Sequence, residues 1–137
     1  MIGPKQAKPT KAQERAAYDA TTARDEGKCV RCGWCGNTQR DHRQNRDGFN
    51  TVPSNLQLLC GPHGDEPGCH LWKTRNPAAA IEEGFACPRW ARPEWWPAWR
   101  LGVGWVLYFD APDPEGRWWT EITDATATLL MREGKAE

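Results

Sequence analysis

The residues in this sequence best suited to chemistry are an adjacent aspartate and histidine, Asp41-His42, and a second histidine, His70. Hydrolysis of a phosphodiester needs a base that deprotonates water and a cation that stabilises charge on the phosphate and the leaving oxygen. A neutral histidine suits the first task near about pH 7. A carboxylate and an imidazole can hold a divalent ion and leave its other positions open for water and phosphate. These residues form a candidate hydrolytic centre, although His70 would also suit a purely structural zinc site.

Four of the six cysteines are spaced like the ligands of a structural zinc ion. Cys29 and Cys32 form a Cys-x-x-Cys turn, and Cys60 and Cys69 follow beside glycines. Zinc prefers four thiolate or imidazole ligands in a tetrahedron, and a Cys-x-x-Cys turn presents two sulfurs to one ion. In a reducing compartment such cysteines are more typical of metal sites than of disulfides. We therefore predict a zinc site that clamps together the segments carrying the aspartate and both histidines, so that metal binding contributes to folding.

The identity of each zinc ligand has alternatives. An overlapping Cys-x-x-Cys ends at Cys35, so Cys35 could replace Cys29. His63 lies between the second pair of cysteines and could replace either of them. Cys87 has no partner nearby in the sequence, and we interpret it as a buried or free thiol. The alternative for the whole set is a group of unrelated cytosolic thiols.

The order of these motifs resembles that of HNH endonucleases, which belong to the ββα-metal nuclease class. The motifs are Cys29-Val30-Arg31-Cys32, Asp41-His42, Asn55-Leu56-Gln57-Leu58-Leu59-Cys60 and Cys69-His70-Leu71-Trp72-Lys73. The resemblance covers roughly residues 10–76 and extends to small HNH proteins of phages that infect actinobacteria. One departure is the spacing of Cys60 and Cys69, because eight residues separate them where the compact form often has two.

The resemblance implies a role for each residue of the candidate centre. His42 would be the general base that activates the attacking water, and Asp41 and His70 would hold one divalent cation such as Mg²⁺, Mn²⁺ or Ni²⁺. Asn55 would fix the loop that carries the base through backbone hydrogen bonds, although in some relatives an asparagine binds the metal instead. The implied activity is that of a metal-dependent DNA endonuclease, with phage packaging (terminase) proteins as candidate partners.

Basic residues close to the candidate centre are candidates for contacting DNA. They are Arg40, Arg43, Arg46 and Lys73. Residues 1–75 contain 12 Lys and Arg against 8 Asp and Glu, and residues 76–137 contain 6 against 10, so the first part is basic and the second acidic. This favours the basic part as the surface that meets DNA, through phosphate contacts that carry no sequence information. The alternative for each arginine is a solvated charged loop.

Local patterns place these residues on short elements of an α+β fold. Thr10 and the alanines after it predict a helix over residues 10–24, and residues 28–40 suit a tight knuckle. A strand suits Asp41-His42, because neighbouring side chains on a strand point to opposite faces. Ser54 predicts a capped turn over residues 55–60, and a short helix is expected to start at His70. A further helical stretch is predicted over residues 78–83, ended by Gly84.

The composition changes after residue 85, because seven of the nine tryptophans lie at Trp90 or beyond. Residues 104–110 and 117–122 predict two strands joined by a turn-rich loop. The predicted organisation is a flexible arm over residues 1–9, a zinc-stapled HNH core over 10–84 and a Trp-rich β appendage over 85–137. Packing of indoles within a β-hairpin explains these tryptophans better than base stacking does. Docking of a partner protein is a third interpretation.

Length and composition exclude several classes of protein. A chain of 137 residues suits one domain better than two. With 39% hydrophobic residues and a mean hydropathy of −0.80, it contains no run near the ~20 apolar residues of a membrane span. The absence of an apolar N-terminal stretch predicts a cytoplasmic location, in the bacterial host if a phage encodes the protein. The functional alternatives to a nuclease are a non-catalytic zinc-binding DNA module and an adaptor that docks a partner through its Trp-rich region.

Overall fold

In a computed structural model that describes residues 7–133, the chain forms an α+β structure with four helices and two small antiparallel sheets. The helices are α1 (Lys11–Arg24), α2 (Cys69–Arg75), α3 (Pro77–Glu82) and α4 (Asp124–Glu133). One sheet pairs β1 (Thr38–His42) with β2 (Leu56–Cys60), and the other has the order β3 (Ala98–Arg100), β4 (Gly104–Tyr108), β5 (Trp119–Glu121). The predicted α+β class is confirmed. Residues 1–6 of the predicted arm lie outside the described residues.

Helix α1 starts as predicted because Thr10 caps it. The Thr10 side chain accepts from the Gln13 backbone N–H at 3.1 Å, and the Gln13 side chain accepts from the Thr10 N–H at 2.8 Å. This reciprocal capping box satisfies two backbone donors that the first turn would leave unpaired. At the other end of α1, buried Arg24 donates to the carbonyls of Pro53 and Leu56 at 2.9 and 2.7 Å. The helix is thereby fastened to the start of β2.

The sheet of β1 and β2 carries the candidate catalytic residues. Asp41 is opposite Gln57 and His42 is opposite Leu56 in the antiparallel register, so the predicted strand at Asp41-His42 is confirmed. The predicted turn over residues 55–60 is wrong, since Leu56–Cys60 is a strand that follows a 3₁₀ turn at Pro53–Asn55. All five residues of β2 are buried, and both α1 and α2 pack against it. A strand covered on both faces shows no alternation of polar and apolar residues, which is why the pattern was misread.

Helices α2 and α3 follow β2, and Gly84 lies two residues after the end of α3 in a position that the packing restricts to glycine. Both helices were predicted, from the segments that begin at His70 and Ala78. Gly84 has φ +89°, and a Cβ at this position would lie 2.8 Å from the backbone N of Trp99. The Gly84 carbonyl accepts from that same N–H at 3.0 Å. The close approach of the two backbones therefore depends on a residue without a side chain.

The C-terminal part of the chain is larger than the predicted hairpin. Strands β4 and β5 match the prediction, whereas β3 and α4 were not predicted. The Thr123 hydroxyl accepts from the Thr126 N–H at 3.1 Å at the start of α4. Trp96 is only 3% exposed and packs with Cys87 and Ala91, and Met131 of α4 packs against this cluster. Packing thus accounts for Trp96, which lies before the strands of the predicted hairpin.

Contacts join the parts of the chain on either side of residue 84. Phe85 belongs to the buried cluster that contains Cys29, Cys60 and Cys69. The Leu101 N–H donates at 2.8 Å to the carbonyl of Val30, which belongs to the same cluster. No helix within residues 7–133 is long and apolar enough to cross a membrane.

Candidate metal centre and active site

The four cysteines predicted to bind zinc are close together. Their sulfurs all lie within 4.8 Å of one another, with Cys29, Cys60 and Cys69 buried and Cys32 exposed. A tetrahedral zinc ion with bonds of about 2.3 Å separates its sulfur ligands by about 3.8 Å. The observed spacing fits such an ion, and the six cysteines are free thiols without a disulfide among them. The chain thus has a buried four-cysteine cluster that could hold zinc, as the sequence predicted.

Neighbouring donors are placed to stabilise negative charge on these sulfurs. The Cys69 N–H donates to Cys60 Sγ at 3.2 Å, and Arg31 Nη1 donates to Cys69 Sγ at 3.4 Å. The Arg31 guanidinium is held there by stacking 3.6 Å from the centre of the Trp72 ring. Burial raises the pKa of the Cys69 thiol far above its ordinary value. Zinc binds thiolates, so loading the cluster would release protons.

The alternative ligands lie outside the cluster. Cys35 is exposed and is not among the grouped sulfurs. His63 stacks on the Trp34 ring, with the ring centroids 4.0 Å apart and the planes 6° from parallel. The loop between Cys60 and Cys69 closes at its base, where a Cβ on Gly68 would lie 2.6 Å from the Gly61 carbonyl. The long spacing therefore leaves the two cysteines side by side.

Asp41 lies at the centre of a polar cluster between β1 and α2. Its carboxylate is 5% exposed, and Oδ2 accepts from Gln57 Nε2 at 2.9 Å. Lys73 Nζ lies 3.2 Å from Oδ1 and 3.0 Å from Oδ2, and His70 Nδ1 lies 3.2 Å from Oδ1. Burial alone would raise the pKa of Asp41, but its contacts with His70, Lys73 and Gln57 outweigh burial and lower it. Asp41 is therefore an anion at neutral pH.

The contact between Asp41 and His70 is suited to a divalent cation. His70 Nδ1 is buried from solvent and lies 3.2 Å from Asp41 Oδ1, and this contact with the carboxylate raises the pKa of His70 above the ordinary histidine value. Adjacent ligands of an octahedral ion with bonds of about 2.1 Å lie about 3.0 Å apart. A buried imidazole nitrogen and a carboxylate oxygen at nearly this spacing fit two neighbouring ligands of one ion, which would replace the direct contact between them.

His42 follows Asp41 on β1 and has a different environment. Its Nε2 lies 2.9 Å from the Thr51 hydroxyl, and its ring meets the edge of the Tyr18 ring with centroids 6.1 Å apart. Burial lowers the pKa of His42 below the ordinary histidine value, so the imidazole is neutral at pH 7. A neutral ring that donates its Nε2–H to Thr51 leaves Nδ1 as a proton acceptor.

Asn55 fixes the loop that follows His42. The residue is fully buried, and its Oδ1 accepts from the Gln44 N–H at 2.7 Å. Its Nδ2 donates to the carbonyls of Gln44 and Asn50, each at 3.0 Å. The Asn55 carbonyl also accepts from the Arg43 N–H at 2.7 Å. These bonds hold both ends of the loop after β1 against the start of β2.

The four basic residues expected to contact DNA differ in exposure. Arg43 is 1% exposed, and its guanidinium donates only to backbone carbonyls, so its predicted DNA contact is wrong. The Lys73 side chain is 13% exposed and points into the Asp41 cluster, and its predicted DNA contact stays a prediction. Arg40 and Arg46 are 46% and 56% exposed, beside Asp19 and Glu14 of α1. These two stay available to a phosphate.

Several residues of the site were missed by sequence reasoning. Gln57 contacts Asp41, and Thr51 contacts His42. Arg31 contacts the cysteine cluster. Gln57 had one usable signal, because it is a polar residue within an otherwise apolar run. Thr51 had none.

No protein-family model matches the chain, and no match was found among curated proteins or solved structures. The resemblance to HNH endonucleases therefore stays a prediction, and the contacts described above carry the functional interpretation.

Proposed function

We propose that this protein is a zinc-stabilised, divalent-metal-dependent DNA endonuclease of the HNH type, with β1, β2 and α2 as its ββα-metal unit. The observation that carries the proposal is the juxtaposition of Asp41 and His70, whose Oδ1 and solvent-shielded Nδ1 lie 3.2 Å apart. His42, the next residue on the same strand, is a neutral imidazole, and Asn55 holds the loop that follows it.

The proposed reaction divides the work among these residues. A divalent cation such as Mg²⁺, Mn²⁺ or Ni²⁺, held by Asp41 and His70, would stabilise negative charge on the phosphate and leaving oxygens. His42 Nδ1 takes a proton from the attacking water, while its Nε2 bond to Thr51 fixes the ring. Asn55 keeps the loop after His42 in place through the backbone of Gln44.

A zinc ion bound by the four cysteines would stabilise the site without taking part in the reaction. Cys60 ends β2 and Cys69 begins α2, so an ion held by both sulfurs would fix the strand against the helix that carries His70. Arg40 and Arg46 are exposed on the β1 side of the molecule and are the proposed phosphate contacts of the bound DNA.

The decisive experiment is cleavage of supercoiled plasmid by zinc-loaded protein with added Mg²⁺, Mn²⁺ or Ni²⁺. His42→Ala is expected to lower the cleavage rate by about 10²-fold or more, the usual effect of losing a general base. His63→Ala is the matched control, because His63 lies outside the Asp41 cluster and stacks on Trp34. A chelator that removes the added metal is expected to stop cleavage.

Three outcomes contradict the proposal. Cleavage that survives in His42→Ala at the rate of His63→Ala excludes His42 as the base. Folded, zinc-loaded protein that shifts DNA in a gel but cuts none with any of the three metals supports a binding module instead. Protein that does neither but captures a partner through the exposed tryptophans, Trp90 and Trp95, supports an adaptor.

A further inference from the structure

Lys73 occupies an unusual place for a lysine, next to the proposed ligands of the catalytic cation. Its Nζ donates to the His42 carbonyl at 2.8 Å and lies 3.2 and 3.0 Å from the two oxygens of Asp41. With its side chain only 13% exposed, the ammonium is largely withdrawn from water. A buried charge of this kind is tolerated only where an opposite charge and hydrogen bonds compensate it.

Resting on the proposed function, we infer that Lys73 is a positioning residue that sets the affinity of Asp41 and His70 for their divalent cation. Its ammonium lies beside both carboxylate oxygens of Asp41 and balances their negative charge while no metal is bound. The protein thereby keeps a buried carboxylate aimed at His70, ready to bind a metal.

The bonding of Asp41 supports this role. An ionised carboxylate has about four lone-pair positions. Oδ2 accepts from Gln57 and faces Lys73, and Oδ1 faces both Lys73 and His70. An ion bound through Oδ1 therefore has to share that oxygen with Lys73 or displace it.

Charge repulsion adds to this competition. The ammonium would lie a few ångströms from a divalent ion in a region shielded from water, where like charges repel more strongly than in bulk solvent. Lys73 thus weakens metal binding while its bond to the His42 carbonyl keeps α2 in place on β1. Removing the charge should tighten binding of the metal, whereas a merely structural contact would loosen it.

Helix α2 offers a matched control for this inference. Arg75 lies two residues further on the same helix, is exposed, and has no ion-pair partner among residues 7–133. Lys73→Met and Arg75→Met therefore remove the same charge from the same helix, one inside the site and one outside it. Lys73→Arg retains the charge at the site.

The experiment is a calorimetric titration of zinc-loaded protein and these variants with Mn²⁺, which prefers oxygen and nitrogen ligands over thiolates. Lys73→Met is expected to bind Mn²⁺ at least about tenfold more tightly than the wild type. Lys73→Arg and Arg75→Met should stay within about threefold of the wild type. Retained zinc and an unchanged tryptophan emission spectrum verify folding. If Lys73→Met loses its zinc, Lys73→Gln takes its place, because its amide can still donate to the His42 carbonyl.

The outcomes separate this inference from the proposed function. Equal or weaker Mn²⁺ binding by Lys73→Met overturns the inference, even if the wild type cleaves DNA. Tighter binding by Lys73→Met supports it, even if no variant cleaves DNA and the nuclease proposal fails. An equal gain in affinity in Arg75→Met overturns it, because the effect would then come from net charge. Absence of Mn²⁺ binding by every folded variant also overturns it.

Discussion

Replacing Arg43 by methionine would remove a buried cation that joins three segments of the chain. Its Nη1 donates to the carbonyls of Ser54 and Pro93 at 2.7 and 3.0 Å. Its Nη2 donates to those of Trp96 and Pro97 at 2.7 and 3.3 Å. No carboxylate within residues 7–133 forms an ion pair with it. We expect Arg43→Met to destabilise the protein strongly, although Arg43 follows a proposed catalytic residue.

The expected size of the effect follows from these bonds. Three of them are 3.0 Å or shorter, and at about 1.5 kcal/mol for each bond from a charged donor they contribute about 4–5 kcal/mol. Relief from burying an unpaired cation offsets part of this, which leaves a net loss of about 3 kcal/mol. Arg46→Met is the matched control. Arg46 is 56% exposed and pairs with Glu14 at 3.2 Å, and exposed pairs contribute at most about 1 kcal/mol.

The assay is urea unfolding with zinc present, followed by tryptophan fluorescence. For a urea dependence of about 1.5 kcal/mol per molar, the midpoint for Arg43→Met should fall by about 2 M. The midpoint for Arg46→Met should fall by less than about 0.7 M. Midpoints of the two variants that agree within about 0.3 M would refute the reasoning, because the carbonyl network would then contribute no more than a surface ion pair.

Two further predictions concern the thiols and the proposed loop-fixing residue. With zinc bound, a thiol reagent at about pH 8 is expected to react quickly only with Cys35, because Cys87 is buried with its pKa raised to about 11 and becomes a thiolate only as the pH approaches that value. Removing zinc should expose more thiols, and two or more fast thiols in the zinc-loaded protein would contradict the four-cysteine ligand set. Asn55→Ala should lower kcat for plasmid cleavage by about 10²-fold without changing the Kd for Mn²⁺, since it releases the loop but not the ligands. A weakened Kd for Mn²⁺ would instead indicate that Asn55 binds the metal.

Some elements could be predicted because their signals are local. Thr10 and Gln13 form a capping box within one turn, and the helix they start is where the sequence placed it. The zinc cluster was equally accessible, since a Cys-x-x-Cys turn already presents two sulfurs to one ion and few thiols remain to complete it. Sequence spacing alone could not choose between Cys35 and Cys29. The positions of the sulfurs decide it, because Cys29 belongs to the cluster and Cys35 does not.

Other features depend on distant contacts and left no local pattern. Leu56–Cys60 was misread as a turn, because a strand covered on both faces lacks alternation. Arg43 and Lys73 are predicted to contact DNA from their charge and from their position near the candidate centre in the sequence. The carbonyls that surround Arg43 come from residues 54 and 93–97, and the carboxylate beside Lys73 lies 32 residues away in sequence. A basic residue beside a candidate active site can serve the fold as readily as the substrate.

The length of the loop between Cys60 and Cys69 does not determine the positions of these two cysteines. Its base is closed by backbone against backbone at Gly61 and Gly68, whereas a Cβ on Gly64 would meet nothing within 4 Å. Residues 64–67 are exposed, and a single β-bridge pairs His63 with Glu66 across the tip of the loop. Insertions at the tip should therefore leave the thiolates in place, since lengthening a closed loop costs little free energy. This position would accept an epitope or a fluorescent label, and it is where we expect sequences related to this one to vary most in length.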